Sequence, residues 1–429
     1  MRHQPINSSL FIKNRKNFVN KMKPNSVAIF LSNDIMPTNA DGTMPFVQNT
    51  NLLYLSGINQ EDSILILAPD FHDKKYREIL FVRETNQIIS IWEGNKLTKK
   101  ECTNLSGIQT VYWKNKFENI LENILSKSEN IYLEKNEHPR SINKVETNQD
   151  KFFNYCTKKY SEHKYLKSYS LLSDLRMIKE KLEIDLISKA CKITENGFRK
   201  VLEFIKPQIW EYEIEAEYIH EFIKNKSMGF AYEPIIASGI NACCLHYNKN
   251  NSICQNGDLI LMDVAAEYAN YKSDMTRTVP INGKFTQRQL TIYNAVLNVK
   301  NEATKILRPG TTINQYHKEV QKIMESELIS IGLLDKNDVK KQDKNNPLSL
   351  KYFMHGTSHH LGLDVHDVGN FDCNINIGNV FTVEPGIYIK EENIGVRLED
   401  NILIGENKNL NLMKNIPILP EEIEDLMNQ

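Results

Sequence analysis

The chain has 429 residues, 41% of them apolar and 25% charged, with 53 Lys and Arg balancing 54 Asp and Glu. That length can bury two separate cores, and the composition excludes a disordered or fibrous chain. Charge parity removes any general electrostatic argument for nucleic acid or an anionic membrane as partner, and no apolar run is long enough to cross a bilayer.

Residues 1–33 carry basic and no acidic side chains, as a transit peptide would. However, Phe11, Phe18 and Met22 fall at near-helical spacing, which predicts a docked first helix instead. SVAIFLS, DSILILAPD and EILFVRET then read as strands, and WKNKFENILENILS as an amphipathic helix. The pattern is α/β. A polar stretch, HPRSINKVETNQDKFFNYCTKKYSEHKY, leads to a new start near Leu171, so the expected domains are 1–170 and 171–429.

The second domain opens with two long helical stretches, MIKEKLEIDLISKACKITENGFRKVLEFIK and EYEIEAEYIHEFIKNK, parted by Pro207. Extended segments follow (EPIIASG, DLILMDVAAEY, SDMTRTVPING), then a helical region around 287–305 and the charged stretch LLDKNDVKKQDKNNP. VFTVEPGIYI and NIGVRLEDNILIG close the chain, both alternating as strands do. This order predicts an α+β domain.

Within it, several carboxylates stand where burial is costly. Asp263 ends the apolar run DLILM, where an unpaired carboxylate is expensive; eleven residues later Asp274 is returned by what reads as a hairpin or wide turn. The plainer account makes one a turn aspartate and the other a cap. HGTSHHLGLDVHD, residues 355–367, holds four of the eleven histidines; its glycines favour a loop over a helix, and it is not H-E-x-x-H. Glu384 precedes Pro385-Gly386, which keeps it extended. Arg397 and Glu399 share one face of NIGVRLEDN, either as ligand-bearing residues or as a salt bridge on a surface strand. Four carboxylates and one imidazole (Asp263, Asp274, His359, Glu384, Glu399) suit a pair of small divalent ions such as Mn2+ better than a sulfur-rich zinc site. Cys243-Cys244 near His246 is geometrically poor for one tetrahedral ion and reads as buried thiols. Seven cysteines without C-x-x-C or a secretory h-region imply reduced thiols and a cytosolic address.

Together the words FAYEPIIASGINACCLHY, GDLILMDVAAEYANYKSDMTRTVPINGKFT, HGTSHHLGLDVHD, VEPGIYI and GVRLED closely resemble the metal-dependent M24 peptidases of the pita-bread fold, and within them the Xaa-Pro aminopeptidases. FVQNTNLLYLSGINQEDSILIL and IWEGNKL resemble, more loosely, the creatinase/prolidase-like N-terminal domain of that group. The resemblance implies five metal ligands, with Asp274 and Glu399 bridging two ions, Asp263 on one, and His359 with Glu384 on the other. It further implies that His246, His355 and His366 support the site or face substrate, and that Arg397 lies beside the bridging glutamate.

The implied reaction is release of the N-terminal residue from peptides with proline second, by a hydroxide shared between the ions. Glu384 would carry the proton to the proline nitrogen, His366 or His246 would stabilise the oxyanion, and His355 would wall the proline pocket. The substrate's free amine would be read by a carboxylate such as Asp263. A homodimer or homotetramer is implied as well. Rival readings are a prolidase, against which Thr357-Ser358 before His359 counts, a catalytically inactive pita-bread binding protein, and a two-metal phosphoesterase. Two departures stand out: Ala265 replaces a customary glycine, and NADGTMPF lacks the usual leading arginine.

Overall fold

The computed structural model describes every residue except Met1, Pro139, Asn143 and Lys344. The last three fall inside the polar separator and the charged stretch noted above, and lie outside the described residues. The chain forms two compact units, Gln4–Arg176 and Met177–Gln429, the second joined by Arg2 and His3.

The first unit is built on one six-stranded sheet. Its strands are β1 (Ser26–Leu31), β2 (Ile64–Leu67), β3 (Glu78–Val82), β4 (Thr110–Trp113), β5 (Asn130–Leu133) and β6 (Lys164–Lys167), in the spatial order β4-β3-β2-β1-β5-β6. β1 is buried at all six positions, as a continuous apolar run covered on both faces should be. The helix Phe117–Leu125 buries Phe117, Leu121, Ile124 and Leu125, the single face its 3.6-residue period predicts. Phe11 and Phe18 are likewise buried, on the helix Ser9–Val19.

In the second unit the expected helices run Lys181–Phe204, Glu211–Lys224 and Gln287–Ile306, followed by Ile313–Ser330. Gly197 explains the closeness of the first two. A Cβ there would lie 2.7 Å from the Phe222 ring and 3.0 Å from that of Tyr218. The strands are β7 (Ile235–Ser238), β8 (Leu259–Asp263), β9 (Glu267–Tyr268), β10 (Tyr271–Lys272), β11 (Thr276–Pro280), β12 (Val380–Val383), β13 (Gly386–Ile389), β14 (Ile394–Arg397), β15 (Asp400–Leu403) and β16 (Leu410–Asn411). They form small antiparallel sheets: β11-β8-β7, β9-β10, β12-β15-β16 and β13-β14. Lys181–Phe204 packs on β9 and β10, Glu211–Lys224 on β7, and Gln287–Ile306 on β12, β13 and β14. Among the described residues no helix is long and apolar enough to cross a membrane.

One departure from the sequence expectation shapes the site. VFTVEPGIYI and NIGVRLEDNILIG are not single strands: each breaks in two, at Glu384-Pro385 and at Leu398-Glu399. Proline has no N–H for the ladder, which accounts for the first break.

Candidate metal centre

Every carboxylate singled out above sits at the end of a strand or in the gap between two. Asp263 ends β8, Asp274 precedes β11, Glu384 parts β12 from β13, and Glu399 parts β14 from β15. The turn between the aspartates is wider than a simple hairpin. β8 and β11 are antiparallel, but Asp263 faces Thr276 rather than Asp274, and the β9-β10 hairpin is inserted between them. That inner hairpin turns on Ala269 and Asn270, both at positive φ, which matches the right-handed twist of its strands. Ala265 is not among the positive-φ residues, so the methyl it carries in place of glycine is accommodated.

Donor atoms of Asp274, His359 and Glu399 all lie within 4.8 Å of one another. His359 Nε2 is 3.4 Å from both Asp274 Oδ2 and Glu384 Oε1. Its Nδ1 is 2.9 Å from the His360 carbonyl oxygen and so carries a proton, which leaves Nε2 as the atom that presents a lone pair when the ring is neutral. Glu399 Oε2 accepts a hydrogen bond from Thr276 Oγ1 at 2.7 Å, whereas its Oε1 is buried with no hydrogen-bond partner. Asp263 is the most fully engaged of the set: Tyr232 Oη donates to its Oδ1 at 2.6 Å and Arg397 Nη2 to its Oδ2 at 2.7 Å.

The electrostatics show what is missing from this group. Burial, reinforced by Asp274 and Asp263, pushes the Glu384 carboxyl up to about 7 although His359 and Arg397 oppose it. Burial together with Asp274, Glu384 and Asp263 holds Glu399 well above the ordinary carboxylate range. Burial also raises Asp263, against the pull of Arg397 and with a further push from Asp274. For His359 burial alone would disfavour the charged form, yet Asp274 and Glu384 outweigh it and raise the imidazole. These are mutually repelling acids short of positive charge. The unpartnered Glu399 oxygen, the 3.4 Å spacings and a donor set of carboxylate oxygens with one imidazole nitrogen all fit hard divalent cations.

The remaining histidines and Arg397 surround this group. His366 stacks edge-on against His359, with ring centroids 4.3 Å apart. His355 Nε2 is 2.8 Å from Tyr388 Oη, and burial with Arg397 nearby pushes this imidazole down to about 4, so it is neutral at pH 7. His246 is exposed and near enough to His355 to contribute to that depression. Arg397 is buried, which rules out the surface-strand account; it donates to Asp263, to Tyr388 Oη at 2.9 Å and to Thr276 Oγ1 at 3.1 Å. Cys244 is exposed and Cys243 only half-buried, which corrects the buried-thiol expectation for the pair; the chain turns there in a short 3-10 segment that leaves Cys244 facing outward.

Sequence reasoning missed four contributors: Tyr232, Tyr388, Thr276 and Asn401. Asn401 is completely buried, takes the Asp274 N–H on its Oδ1 at 3.0 Å and donates Nδ2 to the Asp274 carbonyl at 2.6 Å, pairing with that residue's main chain as a strand would. A hydroxyl inside the otherwise apolar run GIYI is the available signal for Tyr388, whereas SDMTRT is itself polar and carries none for Thr276.

The signature of metallopeptidase family M24 matches residues 185–406, and that of the aminopeptidase P N-terminal domain matches residues 11–132. The chain is 35% identical to a Xaa-Pro aminopeptidase from Haemophilus influenzae, over 97% of each protein, and 32% identical to that of Escherichia coli, over 98% of each. The solved structure of E. coli aminopeptidase P with the inhibitor Pro-Leu superimposes with a TM-score of 0.89 at 32% identity, covering 99% of both chains. A candidate divalent-metal centre on a pita-bread unit, preceded in sequence by an α/β unit of matching type, thus comes with full-length similarity, and the chain belongs to metallopeptidase family M24 with the two-domain aminopeptidase P architecture.

Proposed function

We infer that the protein is a metal-dependent Xaa-Pro aminopeptidase, releasing the N-terminal residue from peptides whose second residue is proline. The observation that carries this reading is the convergence of Asp274, His359, Glu399 and Glu384 on a chain similar along its whole length to such enzymes. Two divalent ions, Mn2+ by the hardness of the donors, would be held by Asp263, Asp274, His359, Glu384 and Glu399. When bound they supply an acidified water and polarise the scissile carbonyl.

The chain's own residues do the rest. Glu384, half-buried between β12 and β13, takes a proton from the attacking water and delivers it to the proline nitrogen. That nitrogen belongs to a tertiary amide and has no hydrogen of its own, so a delivered proton is required for it to leave. His366 or His246 donates to the carbonyl oxygen as it gains negative charge. His355, kept neutral and held by Tyr388, forms part of the wall against the proline ring, with Phe353 packed 5.0 Å behind it. Arg397 holds Asp263 in place, and Asp263 reads the substrate's free amine.

The cytosol is the proposed location, which the seven free cysteines support. A homo-oligomer is supported by Ile88, Ile91 and Trp92, left exposed on one face of the helix Gln87–Glu93. The deciding assay compares Xaa-Pro-Yaa with Xaa-Pro in the presence of Mn2+. Cleavage of the tripeptide is expected; exclusive cleavage of the dipeptide would make the protein a prolidase instead.

A further inference from the structure

Between β7 and β8 the chain makes the short 3-10 segment Gly239–Cys243, and His246 lies in the turn that follows it, outside any helix or strand. From Cys243 to Asn248 burial alternates: Cys243, Leu245 and Tyr247 are half-buried, while Cys244, His246 and Asn248 are exposed. The inward set packs against a small core of Ile235, Ala237, Ala242, Leu261 and Tyr388, so His246 is directed away from that core. What keeps the stretch in this register is Glu211, the first residue of the helix Glu211–Lys224, which is completely buried.

Five donors converge on that carboxylate. Its Oε1 accepts from Ser238 N at 2.8 Å, Ser238 Oγ at 2.7 Å and Asn241 Nδ2 at 3.1 Å. Its Oε2 accepts from Tyr247 Oη at 2.8 Å and Ser252 N at 2.9 Å. The donors come from the start, the middle and the end of the stretch, and one of them is the residue next to His246. The Glu211 main chain adds a bond from its own N–H to the Ser252 carbonyl at 3.0 Å. One turn further along the same helix, Glu215 accepts from Asn250 Nδ2 at 3.0 Å. A carboxylate is an acceptor only, and three of the five partners (Ser238 N, Asn241 Nδ2 and Ser252 N) are N–H groups that can only donate. A carboxamide of the same shape would turn its N–H₂ toward at least one of these N–H groups, whichever way it is oriented.

We propose that Glu211 is a positioning residue for substrate recognition: it ties the ends of the 238–252 stretch to Tyr247 and thereby sets where the His246 imidazole meets the peptide. This rests on the assignment of His246 to the substrate carbonyl given above. None of these Glu211 hydrogen bonds reaches Asp263, Asp274, His359, Glu384 or Glu399, so its removal acts through His246.

A double-mutant cycle on the metal-loaded enzyme tests this, with Xaa-Pro-Yaa as substrate. Glu211→Gln is expected to lower kcat/KM on the order of tenfold to a hundredfold, the cost of a misplaced contact group. In a His246→Ala background the same change is expected to cost less than about twofold. Mn2+ stoichiometry and affinity, titrated calorimetrically into the stripped protein, are expected to stay at wild-type values. Should Glu211→Gln fail to fold, Tyr247→Phe removes one donor from the half-buried rim and decides the matter, with a smaller loss that again vanishes in the His246→Ala background. An equal loss in both backgrounds, no loss in either, or altered Mn2+ binding overturns the proposal. If His246→Ala itself keeps wild-type turnover, the His246 assignment fails and the positioning role fails with it. If His246→Ala is impaired while the second loss is additive, only the positioning role fails.

Discussion

Glu399 and Asp400 are adjacent in the chain, both carboxylates are almost sealed from solvent, and their surroundings are opposite. Asp400 receives Arg277 Nη2 on one oxygen at 2.7 Å, while Lys300 Nζ and, at 2.7 Å, Asn411 Nδ2 share the other. Burial alone would raise its pKa, but Lys300 and Arg277 overcome that and hold the carboxyl below its usual range. Glu399 faces Asp274, Glu384 and Asp263 instead, and is pushed far the other way. Within one peptide unit the protein has paired one carboxylate directly with two basic side chains and left the other among acids, with Arg397 reaching it only through the Thr276 hydroxyl. The self-neutralised side stiffens the site from behind: Arg277 Nη1 also donates to the carbonyls of Thr276 and Glu399, at 3.0 and 2.6 Å. The acidic side is left for cations from solution.

The contrast makes predictions of decreasing size. Glu384→Gln is expected to cut kcat on Xaa-Pro-Yaa by about 10²–10⁴-fold, the usual worth of a positioned proton carrier, with the urea midpoint little changed. Retained turnover would remove Glu384 from the proton path. Asp400→Asn strands two buried cations and is expected to destabilise the protein by about 3–5 kcal/mol, read from urea unfolding with and without Mn2+.

The mirror change, Glu399→Gln, is expected to do the reverse in metal-free protein. It relieves repulsion and stabilises by about 1–2 kcal/mol, while the rise in Tm that Mn2+ gives the wild type disappears. Equal destabilisation by Asp400→Asn and Glu399→Gln would mean that the two environments do not differ as described. The smallest effect is expected from Thr276→Val, between the two groups. Losing the hydroxyl that holds Glu399 Oε2 and accepts from Arg397 should cost about 1 kcal/mol and weaken Mn2+ binding about tenfold by calorimetry.

How much of this could be read from letters follows from where each cue lies. Asp263 after DLILM and Glu384 before Pro385 announce themselves, because a charge closing an apolar run and a proline inside a strand pattern both break local rules. The break at Leu398-Glu399 has no such marker. Alternation runs straight through it, and only the tertiary fit of β14 against β13 and β15 against β12 shows that these are separate strands. Asn401 was silent for a related reason, since a carboxamide standing in for a strand partner pairs with a main chain 127 residues away. Tyr232 and Glu211 act through side-chain reach across the fold, which spacing along the chain does not encode.

Because the carboxylates sit at the last rung of a ladder or between ladders, loading and stripping are expected to leave the sheets intact. The scaffold is expected to mature first and be charged with ions afterwards, so depletion should yield an intact, idle protein that resumes work on resupply. In a cell whose supply of divalent metal fluctuates, such an enzyme would serve as a dormant reserve instead of being degraded.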